Sequence, residues 1–289
     1  MKRYLALQKV VSLGSFTKAA KSLGCTQSSI SQMISSLEDE LSTKILVRNR
    51  NGITLTPEGK ELYPYIEKYI RQYRNIQERA DEIKGLERGV IRIGTIASVS
   101  SHWLPEFIRD FERMYPGVDF LLDQGVYDMI EEWIKSGEVD FGFVAPSAVT
   151  NLQTVDLKDG EMVAIVPSNH PLASRRSVKL NELTKDPFIL LETGLYSEPM
   201  EAFEKEGLTP NLKYTIHDDY TIMMMVEKGL AISIVSKLVL TRSKYDIVQI
   251  PLDPPLYRTI SIAYRDKEML PVASRMFIDY MVENKDRLQ

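Results

Sequence analysis

Between Pro57 and about residue 86, apolar side chains recur at Leu62, Ile66, Tyr69, Tyr73, Ile76, Ala80 and Ile83, at intervals that alternate between four and three. After Pro57 only Gly59 and Pro64 interrupt an otherwise helix-forming composition before Gly85, so the stretch predicts one long helix. Its seam is of the kind two helices share in a coiled coil. The same pattern also describes a single amphipathic helix lying on its own domain. Upstream, Ile30, Met33, Ile34, Leu37 and Leu41 form a helical stripe in "QSSISQMISSLEDEL", with Thr26 as its cap. A shorter helix through "TKAAKSLG" precedes it, capped by Ser15 or Thr17 and stopped by Gly24. In "KILVRNRNGITLTPEGK" the period changes to strand, Asn-Gly turn and strand, and Thr56-Pro57-Glu58 then opens the long helix.

Beyond Gly85 and Gly89 the pattern changes again. "VIRIGTI", "DFLLD", "VDFGFVA", "MVAIVP", "PFILLE", "AISIVS" and "TISIAYR" read as strands. Helical stretches such as "HWLPEFIRDFERMYP", "YDMIEEWIKSG" and "DYTIMMMVEKG" separate them. Strands and helices alternating over roughly 200 residues predict α/β units with parallel sheets.

Two helices joined by so few residues predict a helix-turn-helix, with Ala20 small at the crossing and Gly24 free in φ at the turn. The apolar stripe of the second helix leaves Gln27, Ser28, Ser31, Gln32 and Ser35 outward, with Ser29 beside them. Short hydroxyls let a helix sink into a major groove, and Gln can pair with an adenine edge. Lys18, Lys44, Arg48 and Arg50 are the candidate cations around this face, the last two on a hairpin placed as a wing for phosphate or the minor groove. A solvated hairpin tip is the plain alternative for both arginines.

Charge supports the division. Residues 1–57 hold eight Lys/Arg against three acids, a net of +5, and the chain total of −4 leaves −9 for the remainder. A basic head on an acidic body is the asymmetry expected when one end meets a polyanion. Cys25 is the single cysteine, which excludes an internal disulfide and fits the cytoplasm. No stretch approaches the roughly 20 apolar residues of a membrane span.

In "GSFTKAAKSL", "TQSSISQMISSLEDEL" and "LVRNRNGITLTPEG" the chain resembles the LysR-type transcriptional regulators, and the likeness runs over essentially its full length. It departs from the family at Leu41-Ser42, where Leu-Gly is usual, at Ile45-Leu46, where Leu-Phe is usual, and at Ser29, where Pro is frequent. The resemblance implies an α/β chain with an all-α winged helix-turn-helix at 1–58 and a dimerising linker helix at 59–88. It also implies a two-lobed effector domain at 89–289, like a periplasmic binding protein. Lobe I would be about 90–161 and 267–289, and lobe II about 162–266. Leu62, Ile66, Tyr69, Tyr73 and Ile76 would then face a partner helix. The implied partners are double-stranded DNA, a small-molecule effector, a second copy of the chain in a dimer or tetramer, and RNA polymerase.

Pocket candidates stand where strands hand over to helices: Ser98, Ser100, Ser101, Gly125, Val126, Thr193, Tyr196 and Asp219. The family's strand-to-helix motif puts its usual ligand hydroxyl at Ser98, whereas Val126 stands where many members carry a second hydroxyl. The serines favour a carboxylate-bearing metabolite over a cation, with a helix N-terminus assisting. Each serine also fits a plain helix cap. His102, His170 and His217 lack ligand spacing, and no phosphate loop, nucleophile elbow or carboxylate pair appears, so neither metal, cofactor nor catalysis is expected. Two rival readings remain: an α/β enzyme or solute carrier with helices for assembly, and a DNA-binding protein whose body only oligomerises.

Overall fold

The computed structural model describes residues 1–49, 52–82, 89–241 and 244–288. They form two compact units, Met1–Lys84 and Gly85–Gln289. No helix among the described residues is long and apolar enough to cross a membrane.

In the first unit, α1 (Lys2–Leu13), α2 (Phe16–Ser22) and α3 (Gln27–Glu40) are followed by β1 (Leu46–Asn49), β2 (Gly52–Leu55) and α4 (Pro57–Glu82). The Ser15 hydroxyl, not Thr17, caps α2 by accepting from the Lys18 N–H. The Thr26 hydroxyl caps α3 through the Ser29 N–H. Between them Gly24 sits at φ +63, a conformation that costs glycine least. Ile30, Ile34 and Leu37 close on Ala6, Leu7, Val10, Ala19 and Ala20 in one core. Glu38 ties this core to the hairpin. Its carboxylate is buried and accepts from the Ile45 N–H at 2.9 Å, the Leu46 N–H at 3.2 Å and Lys44 Nζ at 2.7 Å.

The seam of α4 splits in two. Ile66 is 5 % exposed and joins Ile70 in the core beside Leu7 and Val10, so its assignment to a partner-facing stripe is corrected. The helix needed an apolar face for its own domain first. Tyr65, Tyr69, Tyr73 and Ile76 remain exposed, Ile76 at 63 %, and Tyr69 touches the Tyr4 ring edge-on at 4.9 Å. Leu62 is half-buried. Ile83 lies outside the described residues.

The second unit runs β3 (Gly89–Thr95), α5 (Ala97–His102), α6 (Leu104–Met114), β4 (Val118–Gln124), α7 (Tyr127–Ser136), β5 (Phe141–Val144) and β6 (Gln153–Pro167). It continues through α8 (Leu180–Leu183), β7 (Pro187–Leu191), α9 (Glu198–Lys205), β8 (Asn211–Ile216), α10 (Asp219–Glu227) and β9 (Ile232–Ser236). α11 (Lys237–Leu240), β10 (Ile247–Tyr264) and α12 (Val272–Glu283) complete it. One sheet orders the strands β4-β3-β5-β10-β6-β9-β7-β8. β3 is parallel to β4 and β5, and β7 is parallel to β8 and β9. The long antiparallel pair β6 and β10 joins these two halves.

Each half has its own core. The first gathers Ile91, Phe107, Phe111, Phe141 and Phe277, and it takes in Ile260, Ile262 and Tyr264 from the end of β10. The chain therefore crosses back into lobe I inside β10, ahead of the expected 267. In the second half, Phe188 and Phe203 pack on one side, and Ile222, Met223 and Val226 pack in a separate cluster.

The tie at Glu38 gives a test. Ion pairing and N–H donation hold its carboxyl below the usual range despite burial, so its contribution is present above about pH 4.5 and fades as pH falls through the lower folded value. Glu38→Ala is expected to destabilise the first unit by about 1–3 kcal/mol at neutral pH, because a buried N–H and a half-buried one lose their acceptor. Thermal unfolding and amide exchange at Ile45 and Leu46 check it. Unchanged exchange at both amides would refute the tie.

Candidate functional site

Two surfaces carry chemistry, one in each unit. On α3 the stripe that fills the core leaves Gln27, Ser28, Ser31, Gln32 and Ser35 exposed along one face. Ser29 is half-buried, with its N–H spent on the Thr26 cap. Ser28 Oγ lies 2.9 Å from Thr26 Oγ1, so the first turn of the helix is held by two hydroxyls. Between α3 and the hairpin lies a groove of about 320 Å³, bordered by Ser31, Ser35, Lys44 and Val47. Lys18 is exposed on α2. Lys44 is exposed too, but it is already paired with Glu38. The Arg48 backbone pairs with Ile53 in the hairpin, while the Arg48 side chain and all of Arg50 lie outside the described residues.

In the second unit a cavity of about 260 Å³ opens between the two halves of the sheet. It gathers Ser98, Gly125, Val126, Thr193 and Asp219. It does not take in Ser100, Ser101 or Tyr196. The Ser100 hydroxyl sits 3.1 Å from the Ile96 carbonyl and 3.1 Å from Gln124 Oε1, where it helps place Gln124 at the cavity wall. Ser101 points to solvent. The Tyr196 hydroxyl donates to Glu201 Oε2 at 2.8 Å, and burial pushes its pKa up to about 12.

The cavity is also lined by a residue that strand reading from Thr259 leaves out. Arg258 lies in β10 in phase with Ile260 and Ile262, so its side chain is directed inward with the core positions. A cation on the inward phase of a strand is the sequence signal that identifies it. Its Nη2 donates to Ser98 Oγ at 3.0 Å. Ser98, Glu198, Asp219 and Arg258 are each no more than 6 % exposed. Among the described residues two buried side-chain nitrogens lack a partner, Trp103 Nε1 and Arg258 Nε, and of these residues only Arg258 borders the cavity. Ser98 does not cap its helix. Ile96 holds the cap position of α5 without a side-chain bond, and the Ser98 hydroxyl answers Arg258 instead.

Tyr127, which lines the cavity, and Glu198, its hydrogen-bond partner, were not singled out from the sequence. The fully buried Tyr127 hydroxyl donates to Glu198 Oε1 at 3.1 Å, and burial holds the phenol well above its usual range. Burial also raises the Glu198 carboxyl, against the pull of Arg258. Asp219 is pushed up to about 6 by burial, with Arg258 opposing and Asp218 adding to the rise. Asp218 is spent as the cap of α10, accepting from the Thr221 N–H at 2.8 Å. His217, Glu192 and Gln124 complete the polar lining.

The two halves also meet through main chain. The Tyr127 N–H donates to the Thr193 carbonyl at 3.1 Å, and the Leu195 N–H donates to Asp128 Oδ1 at 3.2 Å. Gly194 lies between them at φ +99, and a Cβ there would fall on the Asp128 carboxylate.

The sequence model of the bacterial regulatory helix-turn-helix proteins of the lysR family matches residues 1–60. That of the LysR substrate binding domain matches residues 84–286. The HTH-type transcriptional regulator YvbU of Bacillus subtilis (strain 168) is 30% identical over 278 residues, covering 95% of each chain. Full-length CbnR complexed with its target DNA has the same fold, with a TM-score of 0.74 at 20% identity over 98% of this chain and 99% of that one. The regulatory domain of Synechocystis PCC6803 CcmR in complex with 2-PG aligns with a TM-score of 0.64 at 20% identity, covering 70% of this chain and 99% of that domain. With a helix-turn-helix at its head and a two-lobed substrate-binding domain behind it, the chain belongs to the LysR family of DNA-binding transcriptional regulators.

Proposed function

We propose that α3 reads operator sequence through Gln27, Ser28, Ser31 and Gln32, and that the cavity around Arg258 binds the small molecule that modulates this binding. The observation that carries the effector reading is the cavity itself. It lies between two α/β halves, is lined by five residues expected at strand-to-helix junctions, and includes a buried arginine with an unpartnered Nε. The exposed stripe Tyr65, Tyr69, Tyr73 and Ile76 on α4 pairs with the same stripe of a second copy, which presents two α3 helices to half-sites on one duplex. We further propose domain limits near 58 and 88, assembly of such dimers into a tetramer, and contact with RNA polymerase, all in keeping with the family. The reading is tested by mapping operator sites on the source genome and screening metabolites of the neighbouring genes for a change in operator affinity. A screen in which no metabolite alters operator binding would leave the body as an assembly module.

Three outcomes are expected. Gln32→Ala relaxes preference at one base position by about 1–3 kcal/mol. Titration of operator and scrambled duplexes at several salt concentrations reads this, and an unchanged ratio removes Gln32 from base readout. Ile76→Glu places like charges across the two-fold axis and lowers the sedimenting mass, whereas an unaltered mass assigns the interface elsewhere. Ser98→Ala weakens effector binding about tenfold, since a hydrogen bond to a charged group is lost or rearranged. Calorimetry compares the two proteins, and equal affinities would dismiss Ser98 as a ligand contact.

A further inference from the structure

We propose that the cavity takes a small carboxylic acid as its anion, seated on Arg258 and Ser98, and that the anion binds together with a proton that a buried carboxylate beside Arg258 takes up from solvent. The inference rests on the reading of the cavity as the effector site.

The donors point to an anion. Arg258 Nε is buried and unpartnered at the cavity, and a buried N–H left without an acceptor is destabilising. Ser98 Oγ already accepts from Arg258 Nη2, which leaves its own O–H free to donate. A carboxylate offers two coplanar acceptor oxygens, the geometry that a guanidinium edge and a neighbouring hydroxyl match. α5 has only six residues, so the attraction comes from Arg258 and not from the helix terminus expected earlier. At about 260 Å³ the cavity falls below the roughly 300–1,000 Å³ of pockets that hold drug-sized ligands, so the acid is a short one. Ile96, Val126, Met129 and Leu191 supply an apolar wall for its carbon chain.

The charge balance calls for the proton. The groups around Arg258 are Ser98 from α5, Tyr127 from α7, Glu198 from α9 and Asp219 from the start of α10, with His217 just before that helix; Glu201 adds its charge to that of Glu198, and Asp218 to that of Asp219. Glu192, at the end of β7, accepts from the Gly194 N–H at 3.2 Å. With Glu198 and Asp219 both ionised, Arg258 is outnumbered and a further anion is repelled. Burial has already raised both carboxyls, Asp219 to about 6. A ligand carboxylate on Arg258 withdraws the one influence that lowers Asp219, so its pKa climbs further on binding. The sign follows from linkage. Between about 6 and the higher value of the bound state the complex holds more protons than the free protein, so affinity rises as pH falls through that window and levels off below it.

The test uses the full-length chain with short aliphatic mono- and dicarboxylates, inorganic phosphate, and amines of matching length, ranked by thermal stabilisation. The best acid is then titrated calorimetrically at several pH values in buffers of different ionisation enthalpy. The expected result is binding by an acid, uptake of up to one proton, and an affinity that strengthens toward tenfold per pH unit of acidification above about pH 6. Asp219→Asn should flatten that slope. Arg258→Gln should lose about 100-fold or more, and Arg258→Lys, which keeps the buried charge without the guanidinium plane, should fold and bind at least about tenfold more weakly. Preference for phosphate or an amine, zero proton exchange at every pH, undiminished binding by Arg258→Lys, or a panel in which nothing binds would each overturn the proposal. An amine that binds and shifts operator affinity overturns it while leaving the effector reading intact. An acid that binds with proton uptake but leaves operator affinity unchanged supports it and removes the effector reading alone.

Discussion

A guanidinium taken out of water must be answered by nearby dipoles and charges, and here the answer comes from both halves of the second unit. Arg258 stands on the return strand of the β6–β10 pair, which contributes side chains to both cores. Ser98 reaches it from the first half, while Asp219 and Glu198 lie around it from the second. Separating the halves would strip the cation of part of that compensation. The arginine therefore links the relative placement of the two halves to whatever occupies the space between them.

The first unit is governed by a different constraint, the shortage of apolar surface in a domain of about sixty residues. Its three short helices cannot close a core alone, so α4 lends Ile66 and Ile70 to it. The remaining face of α4 carries tyrosines, whose rings bury area while their hydroxyls stay wet, a composition suited to a surface that meets another helix. One helix thus serves two packing surfaces, and a four-three repeat read from sequence merges them. Telling Ile66 from Ile76 required the position of α1, which lies more than fifty residues away in the chain.

Much of the fold was legible because local chemistry and tertiary packing agree. Thr26, Gly24 and the α3 stripe each specify the same corner, and the seven strands read from apolar runs all lie in the sheet. β8 escaped because "NLKYTI" is an edge strand with its side chains largely exposed, so it carries no apolar run. The first part of β10 escaped because "LDPPLY" breaks the pattern with prolines. At the site, Ser98, Val126 and Asp219 were legible as strand-to-helix positions. Arg258 was hidden by starting its strand one residue late, and Glu198 by a partner seventy-one residues distant. Sequence spacing reports what a turn brings together, not what a sheet brings together.

One of the contacts between the lobes is made by backbone atoms alone. A bond from the Tyr127 amide to the Thr193 carbonyl needs no particular side chain at either residue, proline at 127 excepted, so the pocket's lining can drift toward a new ligand without removing it. Gly194 is the exception. Its φ of +99 and the Asp128 carboxylate in the space a methyl group would need both disfavour any other residue there. Ligand recognition at Arg258 and Ser98 and this backbone bond are thereby carried by different segments, and descendants of this chain are free to alter the first while inheriting the second.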